Sequence, residues 1–243
     1  MAVSLGAGAP APAAAQIYVD ASATGASNGA SWADAYTSLQ DALAEATAAG
    51  GREVWVAAGT YRPDAGEGVT AGDRTATFTI PPGVDVYGRF SGDETSLSGR
   101  DLSRGTDPTT LSGAIGGSGA QDNAYTVVTL EGGLLGNVRV TGGNANGPGE
   151  RGRGGGIDAH SGRIQNVWVQ QNQGDQGGGI YLNGEASLEN IVVNENTANE
   201  ASGILAIRDA STVTNATVTD DVAVVDDDPT SVAEDTKFYN SAF

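Results

Sequence analysis

The chain has 243 residues, no cysteine, and a formal net charge of −18 at pH 7 from 12 basic and 30 acidic residues. Its length fits one all-β domain, and the lack of cysteine excludes a disulfide framework. The acidic balance excludes nucleic acid as an expected partner and disfavours long anionic polysaccharides. No run of 18 apolar residues occurs, so the sequence predicts no membrane span.

Residues 1–15 are rich in Ala, Gly and Pro and end in three alanines before Gln16. This composition is typical of two things: the end of a secretory signal cleaved before Gln16, or a disordered tail. We therefore expect a signal-peptide remnant or a tail here, and the folded domain after it.

The region 16–53 is predicted to form a strand followed by a helix. Ile17, Tyr18 and Val19 make a short β-branched and aromatic run, and apolar residues then recur at helical spacing over 32–46. Ser31 is the expected N-cap, and Gly50 follows the expected end. Such an amphipathic helix would cover the open end of the domain that follows.

The region 54–243 consists of short β-branched runs separated by Gly, Asn and Pro. Residues 89–104 are predicted to form a surface loop, and residues 142–153 an excursion that is too polar to pack. The predicted strands before the repeats are 54–57, 77–80, 84–88, 109–113 and 125–130.

From residue 154 onward, one pattern occurs almost twice and then a third time more loosely. Ile157, Ile180 and Ile204 follow Gly-rich segments and lie 23 and 24 residues apart. Each period holds short strands and no window with helical spacing. A unit of this size predicts one coil of a parallel β-helix, stacked on its neighbours.

An asparagine recurs with nearly the same period. Stacked parallel strands place equivalent residues about 4.8 Å apart, so these amides are expected to form a structural ladder. Asn also tolerates the left-handed backbone that a turn between coils requires. The glycine triplets mark bends where a Cβ would clash. The ladder residues are Asn137, Asn166, Asn190 and Asn215.

These motifs resemble the right-handed parallel β-helix repeat proteins of bacterial surfaces, which have the pectin-lyase-like fold. The Gly-Gly-Gly-Ile segments, paired with Val169-Gln-Gln-Asn172 and Val193-Asn-Glu-Asn196, are similar to repeats of polymorphic outer-membrane proteins, where Phe replaces the Val. Residues 56–61 are similar to the segment that follows the capping helix in such proteins. The resemblance implies an all-β chain with a single right-handed parallel β-helix and a short N-terminal amphipathic capping helix. Because this chain has Val where those repeats have Phe, the resemblance does not imply an adhesive role that depends on the Phe.

Residues that could carry polysaccharide chemistry are sparse. A lyase needs a base near the sugar C5 proton, but the chain has one Lys, Lys237, and one His, His160, in a predicted turn. A hydrolase needs two or three convergent carboxylates, and no such motif occurs. We therefore assign no catalytic residue. A lyase or glycoside hydrolase that uses scattered Asp and Arg residues stays open as the alternative.

An acidic run near the C-terminus offers candidate Ca²⁺ ligands, because Ca²⁺ prefers several oxygen atoms. The run does not alternate with Gly as Ca²⁺ loops usually do, so a solvated acidic loop is the favoured interpretation, and no cofactor is assigned. The candidate ligands are Asp220, Asp221, Asp226, Asp227 and Asp228.

The sequence favours a secreted or cell-surface, non-catalytic module that is structural or adhesive. Its expected partner is an extracellular glycan or a surface protein, since amides between 165 and 176 suit neutral glycans. At the C-terminus, Asn240 follows Asn215 by 25 residues, which predicts a coil that stops as its strand begins. This predicts either a fragment of a longer solenoid or end-to-end self-association through the C-terminal coil.

Overall fold

The computed structural model describes residues 16–102, 108–117, 119–207, 211–220, 222–225 and 237–239. The predicted signal remnant at 1–15 and the predicted C-terminal edge at 240–243 lie outside these ranges. Within them the chain forms one α-helix, α1 (Leu39–Ala48), three short 3-10 helices (Leu97–Gly99, Ala120–Asp122 and Gly149–Gly152) and 21 strands. The strands are β1 (Ile17–Val19), β2 (Glu53–Ala57), β3 (Gly59–Tyr61), β4 (Phe78–Ile80), β5 (Asp85–Phe90), β6 (Thr109–Ser112), β7 (Val128–Gly136), β8 (Arg139–Thr141), β9 (Asn144–Ala145), β10 (Ile157–Gln165), β11 (Trp168–Gln170), β12 (Gln173–Gln176), β13 (Ile180–Leu182), β14 (Ala186–Glu189), β15 (Val192–Asn194), β16 (Thr197–Glu200), β17 (Ile204–Ile207), β18 (Thr212–Thr214), β19 (Thr217–Val218), β20 (Val222–Val225) and β21 (Lys237–Tyr239).

The described strands pair in parallel and make three sheets. The largest sheet has twelve strands, with the path β1-β2-β5-β7-β10-β13-β17-β20 and with β4, β14, β18 and β21 beside it. The second sheet has six strands in the order β19-β15-β11-β8-β6-β3, and the third has three in the order β16-β12-β9. Successive strands of one sheet come from successive periods of the sequence. This all-β arrangement is compatible with the predicted parallel solenoid.

The register between strands keeps the apolar positions of the repeat in line. Ile157 pairs with Ile180, which pairs with Ile204, and all three are fully buried. The second apolar row is Ile164, Leu188 and Val213. Because side chains alternate across a strand, these rows fill the interior while their neighbours point outward. A narrow core results, and it consists of stacked aliphatic side chains.

Helix α1 begins later than the sequence predicts. Its N-cap is Ser38 rather than Ser31, and the Ser38 Oγ accepts a hydrogen bond from the Gln40 N–H at 3.1 Å. The preceding residues are held in an extended form, because the Tyr36 N–H donates to the Tyr18 carbonyl at 2.9 Å. This pairing with β1 overrides the helical spacing that starts at Trp32. The apolar face of α1 packs on β1, β2 and β4 at the N-terminal end of the core.

The glycine-rich segments bring backbones of successive coils into close contact. A Cβ at Gly155 would overlap the carbonyl oxygen of Gln173, and one at Gly178 would overlap that of Thr197. Gln173 and Thr197 are paired in adjacent strands, so Gly155 and Gly178 occupy equivalent positions in successive coils. The bend therefore requires glycine at both positions.

The outer surface stacks carboxylates on amides. One coil carries Gln or Asp where the next carries Glu or Asn, and each amide donates to the carboxylate in the adjacent coil. Opposite partners are favoured because two carboxylates stacked about 4.8 Å apart would repel. The pairs are Gln165–Glu189 at 3.2 Å, Gln171–Glu195 at 2.9 Å, Gln176–Glu200 at 3.0 Å and Asn199–Asp175 at 3.0 Å.

Two asparagines of the repeat are buried and bond along the stack. Asn172 is fully buried and Asn196 is 5% exposed. The Asn196 Oδ1 accepts from both the backbone N–H and the Nδ2 of Asn172 at 3.0 Å. In turn, the Asp220 Oδ2 accepts from the backbone N–H and the Nδ2 of Asn196 at 2.9 Å. The side-chain oxygen of Asn196 thus accepts from the backbone N–H of Asn172, and that of Asp220 accepts from the backbone N–H of Asn196.

Replacing Asn196 with Ala is expected to destabilise the fold by about 2–4 kcal/mol, because the buried N–H of Asn172 loses its acceptor. Asn190→Ala is the matched control, since Asn190 is exposed. It should cost only about 1 kcal/mol, from placing Ala in a left-handed turn. The midpoints of urea denaturation of the two variants give the comparison. Equal losses would contradict the importance of the buried row.

Candidate functional site

The four predicted ladder asparagines all lie at one corner of the coil. Each follows the end of a strand of the twelve-stranded sheet, and their φ angles are positive, at 60°, 56°, 55° and 54°. All four line one groove on the surface. Asn137 is buried, whereas the other three are exposed. The Asn215 Nδ2 donates to the Asn190 Oδ1, so these two amides bond directly across adjacent coils.

A second row of side chains forms the wall of this groove. Arg139 pairs with Trp168, Trp168 with Val192, and Val192 with Thr217, in successive strands of the six-stranded sheet. Each residue lies two positions after its asparagine and points outward. Trp168 is 40% exposed, and the Arg139 guanidinium carbon lies 5.6 Å from the centre of the indole ring.

The N-terminal end of the groove is closed by residues from an earlier coil. Arg89, Leu102 and Pro108 line it there. Among the described residues, the exposed large hydrophobic side chains are Leu102, at 46%, and Trp168. The groove has a volume of about 530 Å³. It therefore combines two exposed large apolar side chains with a row of amides and two arginines, a composition typical of ligand sites.

The backbone of Arg89 is strained where it meets the groove. Its φ is 65°, in the left-handed region that disfavours Arg, and it lies at a register shift between β2 and β5. The conformation is held because the Arg89 N–H donates to the Thr109 Oγ1 at 2.8 Å, and that hydroxyl donates to the Ala57 carbonyl at 3.0 Å. Strained residues of this kind cluster at functional sites.

A separate titratable pair lies on the outer face of the twelve-stranded sheet. The Asp158 side chain is 14% exposed and the His160 side chain 44% exposed, and the His160 Nε2 lies 3.5 Å from the Asp158 Oδ1. This separation is too long for a strong hydrogen bond, and within the described residues the Oδ1 has no hydrogen-bond donor. Burial raises the pKa of Asp158 to about 6, against the opposing effects of His160 and Arg153.

The raised pKa of Asp158 predicts a pH-dependent stability. The folded protein holds this proton more tightly than the unfolded chain, so stability should fall as the pH rises from about 4 to about 6 and then level off. Asp158→Asn removes the buried charge and should stabilise the protein at pH 7 by roughly 1–3 kcal/mol, with no such fall.

Melting temperatures measured from pH 4 to pH 8 test this expectation. Asp93→Asn serves as the control, because Asp93 is exposed. A curve for the Asp158 variant that runs parallel to the wild-type curve would contradict the assignment.

The candidate calcium ligands are only partly described. The Asp220 carboxylate is engaged by Asn196 in the buried row, while Asp221, Asp226, Asp227 and Asp228 lie outside the described residues. Within the described part of the chain, no group of three or more acidic or His side chains could hold a metal ion. Nor does any described helix have the length and apolarity that crossing a membrane requires.

The stacked parallel sheets and the single N-terminal helix are features of β-helix proteins. The chain belongs to the family described as Protein of unknown function (DUF1565), whose model matches residues 22–228. This family is associated with β-helix proteins. No curated protein and no solved structure matches the chain.

Sequence reasoning missed two residues of the groove wall. Neither Trp168 nor Arg139 belongs to a motif in the sequence. The alternation of side chains along a strand could have found Trp168. Val167 and Val169 are buried, so the residue between them points outward. The same reasoning from Val138 and Val140 places Arg139 in the groove.

Proposed function

We propose that this chain is a non-catalytic, right-handed parallel β-helix module, secreted or displayed at a cell surface, that binds an extracellular glycan in the groove along its asparagine turns. The role is structural or adhesive. Membership of a family associated with β-helix proteins supports the architecture. The right-handed winding rests on the resemblance of the repeats to those of bacterial surface proteins.

The row of four asparagines beside Trp168 carries this proposal. The amides recur once per coil, at a spacing of about 4.8 Å, which is comparable to the length of one unit in an extended sugar chain. Each amide offers both a donor and an acceptor to sugar hydroxyls. The exposed indole offers a flat apolar face to a sugar ring. Tryptophan suits a site that is partly apolar and partly hydrated, because its ring N–H can donate a hydrogen bond.

The surface charge supports a location outside the cell. A net charge of −18 keeps the chain soluble and discourages association with nucleic acid and anionic lipid. The small-residue composition of residues 1–15 fits a cleaved secretory signal.

Trp168→Ala should weaken glycan binding about threefold to tenfold, the loss that corresponds to one aromatic stacking contact. Trp168→Phe keeps a flat ring and should lose less. Thr197→Ala is the control, because Thr197 is exposed on the three-stranded sheet, away from the groove.

Binding is best measured on an array of extracellular oligosaccharides, followed by calorimetry on those that bind. The melting temperature of Trp168→Ala should match that of the wild type, since the side chain is 40% exposed. Retention of full affinity by Trp168→Ala would argue against the groove as the binding site.

A polysaccharide lyase or glycoside hydrolase is the second candidate. The observation that favours it is the Asp158–His160 pair, because a carboxyl with a pKa of about 6 beside an imidazole can exchange protons near neutral pH. Turnover of a polysaccharide panel, read by reducing ends and by absorbance of unsaturated products, would favour this candidate. That turnover should then be lost in Asp158→Asn and kept in Asp93→Asn.

A further inference from the structure

The charge of the groove differs from the charge of the chain as a whole. Of the 243 residues 30 are acidic, yet none of the described residues that line the groove is Asp or Glu. Two of the lining residues are arginines, Arg89 and Arg139. A third, Arg100, contacts the groove by donating from its Nη1 to the Asn137 Oδ1 at 3.1 Å. Three arginines thus lie at or beside the groove.

We propose that the groove selects an acidic saccharide, whose carboxylate or sulfate lies against Arg139 while its ring stacks on Trp168. This inference rests on the proposed glycan-binding function and names the class of glycan. The ligand is a short acidic segment rather than a long polyanion.

The environment of Arg139 supports an anionic partner. The side chain is half-buried, and its Nε is buried without a hydrogen-bond acceptor among the described residues. Its guanidinium faces the ring of Trp168, and no carboxylate of the described residues pairs with it. A partly desolvated guanidinium attracts an anion more strongly than an exposed one, because water screens it less.

The floor of the groove at this end offers donors. Asn137 uses its Oδ1 to accept from Arg100, and Asn190 uses its Oδ1 to accept from Asn215. These bonds occupy the Oδ1 atoms, and within the described part of the chain the Nδ2 groups of both amides are left to donate to a ligand. Donors of this kind suit the oxygen atoms of carboxylate, sulfate and hydroxyl groups.

The net charge of −18 determines how much negative charge the ligand can carry. At physiological ionic strength, charges separated by more than about 8 Å are largely screened. The distant carboxylates therefore matter little to one anionic group beside Arg139, whereas a long polyanion would lie over many of them. A saccharide is favoured over an acidic peptide because the amides repeat once per coil beside an exposed indole.

The test compares matched tetrasaccharides on the full chain. The probes are β-1,4-linked tetraglucuronate, its carboxyl-reduced equivalent cellotetraose, and sulfated cellotetraose, with tetraglutamate as the peptide probe. Binding is measured by calorimetry and by the change in intrinsic tryptophan fluorescence. Tetraglucuronate or sulfated cellotetraose should bind about tenfold or more tightly than cellotetraose, the gain of a charge-assisted contact. The tighter of the two identifies the carboxylate or the sulfate as the preferred group.

Arg139→Gln should reduce the ratio of tetraglucuronate affinity to cellotetraose affinity to about one, whereas Arg139→Lys should keep part of the preference. Arg163→Gln is the control, because Arg163 is exposed on β10 outside the groove, and it should change nothing. The wild-type comparison needs no variant, so it stands even where a variant fails to fold.

Three results would overturn the inference. Equal affinity for tetraglucuronate, sulfated cellotetraose and cellotetraose would contradict the preference for acidic saccharides. The proposed glycan-binding function would not be affected. Tetraglutamate binding as tightly as tetraglucuronate would show that the groove recognises charge alone. Failure of every saccharide to bind would instead remove the proposed function itself.

Discussion

Vertical stacking of equivalent residues in successive coils is the constraint on which this structure depends. Each side chain meets the side chain one period away in the sequence, at the spacing of neighbouring strands. Apolar residues satisfy this by stacking into rows such as Ile157, Ile180 and Ile204. A buried amide satisfies it by donating to the next amide, as Asn172 does to Asn196. A carboxylate satisfies it beside an amide donor of the adjacent coil, as Glu189, Glu195 and Glu200 do.

The groove is a consequence of the same stacking. A left-handed residue at each turn exposes the asparagines in a line, and the strand that follows places every second side chain beside them. One substitution in a repeat then has a local effect: a tryptophan where the next coils have Val192 and Thr217 creates the exposed indole. Regular coils thus provide the row, and a single departure from regularity provides the exposed indole of Trp168.

Acidic and basic side chains lie on different parts of the surface, which the composition alone does not show. The carboxylates of the repeats stack on amides over the outer surface, while guanidiniums gather at one end of the groove. At that end Arg100 donates to Asn137 and lies over the rings of Tyr87 and Phe90. Burial lowers the pKa of Arg100, although the side chain stays protonated near neutral pH. A very acidic chain therefore keeps a locally basic site.

The sequence by itself determined the period, the strands and the asparagine turns, because these follow from residue spacing and from local backbone preference. It did not determine where the helix begins, since pairing of Tyr36 with β1 outweighs the helical pattern. Only the tertiary structure decided which asparagine row is buried: Asn172 and Asn196 lie inside, while Asn190 is exposed. It also decided that Arg89 and Arg139 meet in one groove, because segments 50 residues apart become neighbours only when the coils stack.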